Sequence, residues 1–136
     1  MTDDFMVKWY LFHIVTSERH RTSIFLDMTD KIVVFSACST LDEARRIAGN
    51  LIGQRLAACV NVMPGARSLY RWKGKIEEAD ECLLVIKSSR DLFDRLRLEL
   101  EKAHSYEVPE VVAVPIVAGS PNYLNWLDSE LNSSGI

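Results

Sequence analysis

From His104 to Val112 the chain reads HSYEVPEVV, which sets an imidazole, a phenol, two carboxylates and a proline within seven positions. Neutral imidazole and carboxylate are metal ligands, and the same groups exchange protons near neutral pH, so the cluster fits a metal site or an acid/base site. It fits equally well a polar corner between a helix and a strand. Three cysteines, Cys38, Cys59 and Cys82, add soft donors. Cys38 stands just ahead of a helix start, where the helix N-terminus lowers a thiol pKa. The residue three positions on is Leu41 rather than a second cysteine, so the linear two-sulfur geometry that Cu(I) prefers is missing. The bland reading of Cys38, Cys59 and Cys82 is a small residue in an apolar core. His104 reads equally as a helix-terminal cation or surface residue. No Ser/His/Asp signature, P-loop or H-E-x-x-H is present, and GARSLYRWKG is too widely spaced for a dinucleotide fingerprint. No nucleophile has an evident base, which favours a protein that is not an enzyme.

The elements that must position these groups begin at Lys31. IVVF (Ile32 to Phe35) suits a strand buried on both faces. Thr40 and Glu43 have capping-box spacing ahead of a helix whose apolar stripe is Ala44, Ile47, Ala48, Leu51, Ile52 and Leu56, with an end near Arg55. AACVNVMPGARSLYRW (Ala57 to Trp72) is a long strand in which Pro64-Gly65 predicts a bulge. Lys73-Gly74 turns it into a second long strand, Lys75 to Lys87. Ser88 and Asp91 repeat the capping-box spacing before a helix running to about His104. Glu110 to Val117 is a fourth strand, demoted to an edge or an irregular end by Pro115, and Ser120-Pro121 opens a short terminal helix. The order β-α-β-β-α-β with a C-terminal helix predicts an α+β, ferredoxin-like domain over 31–131. Residues 1–30, with their unpatterned mix of an apolar run and SERHRTS, read as an N-terminal extension outside the core, and 132–136 as a tail.

Strands of about 15 residues reach about 50 Å, whereas a helix of that length covers about 22 Å. The hairpin must therefore overhang its helices, carrying Leu69, Tyr70, Trp72 and Ile76 into a patch that a monomer would expose, and a closed homo-oligomer is expected. Alternation puts Ser68, Tyr70 and Trp72 on one face and Arg67 and Arg71 on the other. With 136 residues and a formal charge of -3, the chain makes one domain without a basic face, which argues against nucleic acid and anionic membranes as partners. An odd number of cysteines in apolar surroundings predicts reduced thiols and a cytoplasmic protein.

Arg55 to Lys87 and His104 to Leu127, with AACVN, PG, S-x-Y-x-W-x-G and YEVPE in that order, resemble the CutA divalent-cation tolerance proteins. The resemblance covers about Lys31 to Leu131. It implies a homotrimer in which long hairpins meet neighbouring subunits, a role in the response to metal ions, and copper or another divalent metal as ligand. It further implies Cys59 and His104 as metal ligands, to which Glu110 is added as a candidate, and a cleft at the subunit boundary lined by the segment of Tyr106, Glu107 and Glu110; Tyr70 and Trp72, on the hairpin, read as inter-subunit packing beside it. Ser105 follows the histidine where proline is common in that family, and Ser39 and Cys38 also depart from its pattern. A second reading, by analogy with trimeric signalling proteins of similar fold, is a small-molecule sensor whose inter-subunit clefts take an anionic or metabolite ligand. An acylphosphatase-type hydrolase is disfavoured, because SACSTLD lacks the arginine and glycines of a phosphate cradle.

Overall fold

The computed structural model describes residues 29–132. The expected extension, apart from Thr29 and Asp30, lies outside the described residues, as does the expected tail apart from Asn132. The elements are β1 (Lys31–Cys38), α1 (Leu41–Gly53), β2 (Cys59–Trp72), β3 (Lys75–Ser89), a 3₁₀ turn at Arg90–Leu92, α2 (Phe93–Ala103), β4 (Val112–Pro115) and α3 (Pro121–Glu130). This is the predicted order. The strands form one sheet, β2-β3-β1-β4, with every neighbouring pair antiparallel.

The core lies on one face of that sheet. Alternate residues of β1 (Ile32, Val34, Cys38) and β3 (Cys82, Leu84, Ile86) meet Ala44, Ile47 and Leu51 of α1 and Leu96 and Leu100 of α2. The 3.6-residue period of the helices and the two-residue period of the strands thus converge on one apolar layer. Thr40 caps α1 by accepting a 3.1 Å bond from the Glu43 N–H, and Asp42 and Glu43 suit the positive end of the helix. Arg55 follows the helix with φ of 57°, the left-handed conformation common just past a helix C-terminus.

Two expected caps do not form. Ser88 belongs to β3 opposite Ile32, and its buried hydroxyl donates to the Leu56 carbonyl at 2.6 Å, so the chain enters α2 through the 3₁₀ turn instead. Ser120 makes no side-chain capping bond, although Pro121 does occupy the first turn of α3. β4 is also shorter than expected. It pairs only with β1 and ends at Pro115, whose missing N–H falls on the side away from β1, while the Ile116 N–H still donates to the Lys31 carbonyl at 2.9 Å.

The hairpin has the predicted irregularities. Register shifts between Met63 and Ala66, where Gly65 takes φ of 86°, and Lys73 and Gly74 both have positive φ, at 49° and 80°, as a two-residue I′ hairpin turn requires. β1 pairs with β3 only from Cys82 onward, so the pairs from Ala66↔Glu81 to Trp72↔Lys75 project beyond the rest of the sheet. These seven pairs amount to an overhang of about 23 Å.

Candidate functional site

The corner that follows α2 returns the chain across the end of β1, and it inserts His104 into the protein. Its side chain is fully buried. Nε2 lies 2.8 Å from the Ala37 carbonyl and 3.7 Å from Cys38 Sγ, while Nδ1 lies 3.1 Å from the Tyr106 N–H and 3.5 Å from Glu43 Oε1. By distance alone this is a Cys-His-Glu constellation, and one donor atom from each of Cys38, Glu43 and His104 falls within 4.8 Å of the others.

Hydrogen-bond direction removes the catalytic reading. A backbone N–H can only donate and a carbonyl can only accept, so Nδ1 carries the lone pair and Nε2 the proton. A triad needs the opposite arrangement, with the lone pair facing the nucleophile and Nδ1–H facing the carboxylate. Cys38 is wholly buried, and burial, followed by the Glu43 carboxylate, pushes its thiol up to about 12. The expected depression by the helix N-terminus is overridden, because desolvation of a thiolate and repulsion from a nearby anion outweigh a partial charge.

Glu43 is the hub of the corner. Its Oε1 accepts the Ser105 N–H at 2.8 Å, and its Oε2 accepts the Ser105 hydroxyl at 2.9 Å and the Ser39 hydroxyl at 3.1 Å. Burial pushes the carboxyl up, but these bonds outweigh it and leave the pKa lowered. The same donors argue against a metal in this cluster. Both carboxylate oxygens and both ring nitrogens are already engaged, and the thiol holds its proton.

Beyond the corner lies a cavity of about 670 Å³ between the His104–Glu110 stretch and the hairpin. Tyr70, Trp72, Tyr106, Glu107 and Glu110, all singled out from sequence, line it together. Tyr106 stacks on His104 with ring centroids 4.8 Å apart and donates its hydroxyl to Glu81 Oε2 at 2.8 Å; burial, then Glu81, raise the phenol's pKa.

Cys59 stands elsewhere. It pairs with Lys87, level with Val33, so it lies five positions or about 16 Å from Cys38 along the strand direction and two strands across the sheet. There it adds to the effect of burial in raising the phenol of Tyr123. One chain therefore does not gather Cys59 with His104 and Glu110. Glu81 and the hub role of Glu43 escaped the sequence reading. The first is one carboxylate in the run EEADE, and the second had been assigned to a helix cap. Ser105 and Ser39 had stood out only as departures, and they are the residues that bond Glu43.

A four-stranded antiparallel sheet with one helical layer, an overhanging hairpin and a cleft at the hairpin's root defines a small α+β protein. Residues 32–130 match the CutA1 divalent ion tolerance protein family, and the chain belongs to it. It is 44% identical over 95 residues to the divalent-cation tolerance protein CutA of Thermus thermophilus, covering 70% of this chain and 92% of that one. It is 42% identical over 103 residues to the chloroplastic CutA 1 of Oryza sativa, covering 76% of this chain. It spans 58% of that plant relative's length and 64% of that of the chloroplastic CutA of Arabidopsis thaliana. Among solved structures, CutA1 from Oryza sativa superposes with a TM-score of 0.76 at 40% identity, over 79% of this chain and 99% of that one. Among the described residues no helix is long and apolar enough to cross a membrane.

Proposed function

We propose that the protein acts in divalent-metal tolerance as a non-enzymatic, cytoplasmic, ferredoxin-like homotrimer that meets copper or another divalent ion through Cys59, His104 and Glu110. The observation that carries the reading is the family match across essentially the whole described domain. The buried, protonated state of Cys38 and the reversed polarity of its histidine support a non-catalytic role. Three unpaired cysteines, among them the cross-strand neighbours Cys38 and Cys82, support a reducing compartment. The exposed apolar residues of the overhang, such as Leu69 and Ile76, support self-association.

Within one chain Cys59 stands too far from His104 to share an ion with it, and both His104 ring nitrogens are engaged, so the proposed ligand set draws on neighbouring subunits and needs the buried ring to release the Tyr106 N–H or the Ala37 carbonyl. Calorimetric titration of copper into the assembled protein tests this. Cys59→Ala and Glu110→Gln are expected each to weaken binding, and His104→Ala to do so with some loss of stability. Parent-like binding by all three would show the ligands to be wrong.

The second reading, a sensor that takes a small molecule in its cleft, is favoured by the cavity itself. Its volume falls within the roughly 300–1,000 Å³ typical of ligand sites, and aromatic and carboxylate groups converge on it.

A further inference from the structure

Resting on that second reading, we infer that the cleft takes an organic cation, a small ammonium compound with an apolar shell, rather than an anion. Two observations carry this. The walls bring three aromatic rings, Tyr70, Trp72 and Tyr106, together with the carboxylates of Glu81, Glu107 and Glu110, and no lysine or arginine lines the cavity. Arg67 and Arg71 alternate onto the opposite face of β2, where Arg67 is engaged by Glu78 and Asp80. An anion entering this space would meet three carboxylates and no cation among the lining side chains; the cations nearby stand at the hairpin tip, where Lys73 Nζ lies 5.7 Å over the Trp72 ring and Lys75 pairs with Trp72. A cation would meet ring faces, whose quadrupoles attract positive charge, and carboxylates that complete the neutralisation.

The second observation is the state of Glu81. It is only 8% exposed and faces the cavity, yet no basic side chain pairs with it among the described residues. Its one recorded side-chain partner is the Tyr106 hydroxyl on Oε2. A carboxylate withdrawn from water without a counter-charge is costly, and a bound cation supplies the missing charge. Tyr106 then has two functions. Its hydroxyl holds Glu81 in place, and its ring, held against His104, forms a wall of the cleft.

Choline and its neutral isostere 3,3-dimethyl-1-butanol, which differ in charge and scarcely in shape, provide the test, with citrate as the anionic control. Titrations on the full, assembled chain are followed by calorimetry and by the Trp72 indole resonance. Choline is expected to bind saturably and shift Trp72, with the isostere at least tenfold weaker and citrate inert. Glu81→Gln keeps an acceptor for Tyr106 and should weaken choline at least tenfold while leaving the isostere unchanged. Trp72→Leu should weaken choline in calorimetry, read only on protein that sediments like the parent. Equal binding of choline and its isostere, a citrate response in the cleft, or an unaffected Glu81→Gln variant would each overturn the cation assignment while leaving a ligand cleft standing. If no probe perturbs Trp72, for instance because a basic side chain of a second copy already neutralises Glu81, both the assignment and the cleft reading fall.

Discussion

Glu43 shows how one carboxylate can be the reason a corner folds. It ties the start of α1 to the residue after His104, and the Ser105 and Ser39 donors favour its ionised form strongly enough to override burial. A pKa held low in the folded state contributes stability that is fully present above the ordinary carboxylate value and is lost as pH falls through the lowered folded value. Glu43→Gln, which keeps the shape and removes the charge, should cost about 1.5–3 kcal/mol at pH 7. The deficit should shrink as pH drops through the carboxylate range, as measured by urea unfolding at a series of pH values. A pH-independent deficit would place the effect in shape rather than charge. The cysteines give a second expectation. Cys59 is half-buried, whereas Cys38 and Cys82 are buried and the Cys38 thiol holds its proton to about pH 12. Alkylation at pH 8 with peptide mapping should therefore label Cys59 in the native protein and reach Cys38 and Cys82 only after denaturant is added. At this scale the sequence was partly legible. It showed which residues stand near a helix start or end, but not the depth at which they sit, and depth decided both the Cys38 thiol and the His104 ring.

At the scale of elements, glycine has opposite consequences in two places. Gly49 lies in the exposed interior of α1 with nothing within 4 Å of an added Cβ, so Gly49→Ala should stabilise by about 0.5–1 kcal/mol through reduced freedom of the unfolded chain. Gly74 also has open space around it, but its φ of 80° is one that L-residues avoid, so Gly74→Ala should destabilise by about 1–2 kcal/mol. Chemical denaturation of the two variants checks the signs, and a shared sign would mean that contacts rather than backbone conformation decide. Elements were the most legible level of this sequence. Turn residues and apolar periods are local signals, so the bulge at Pro64-Gly65, the turn at Lys73-Gly74 and the Pro115 edge could all be read from neighbouring residues. Ser88 could not be read in this way. Its spacing to Asp91 is that of a cap, but its burial opposite Ile32 and its bond to Leu56, 32 residues away, come from pairing that no local pattern encodes.

For the whole molecule, the overhang is the feature that one chain leaves unresolved. Leu69 is 66% exposed and Ile76 71%, on the same face of a two-stranded ribbon that projects past the core. An isolated hairpin is marginal in water, so a ribbon of this length needs another surface to lie on. Substituting both residues removes almost nothing that a single chain buries. Leu69→Glu with Ile76→Glu should thus leave the intrinsic stability of the monomer within about 0.5 kcal/mol. In a closed assembly the same change places carboxylates, without partners, in an apolar contact, and association should fail. Sedimentation equilibrium is expected to show three chains for the parent and one for the double variant. The melting temperature should rise with protein concentration for the parent alone, since only an assembly is stabilised by mass action. A parent that sediments as a monomer, or a double variant that still sediments as three chains, would mean that the ribbon stands without a neighbouring subunit and that its length has some other cause.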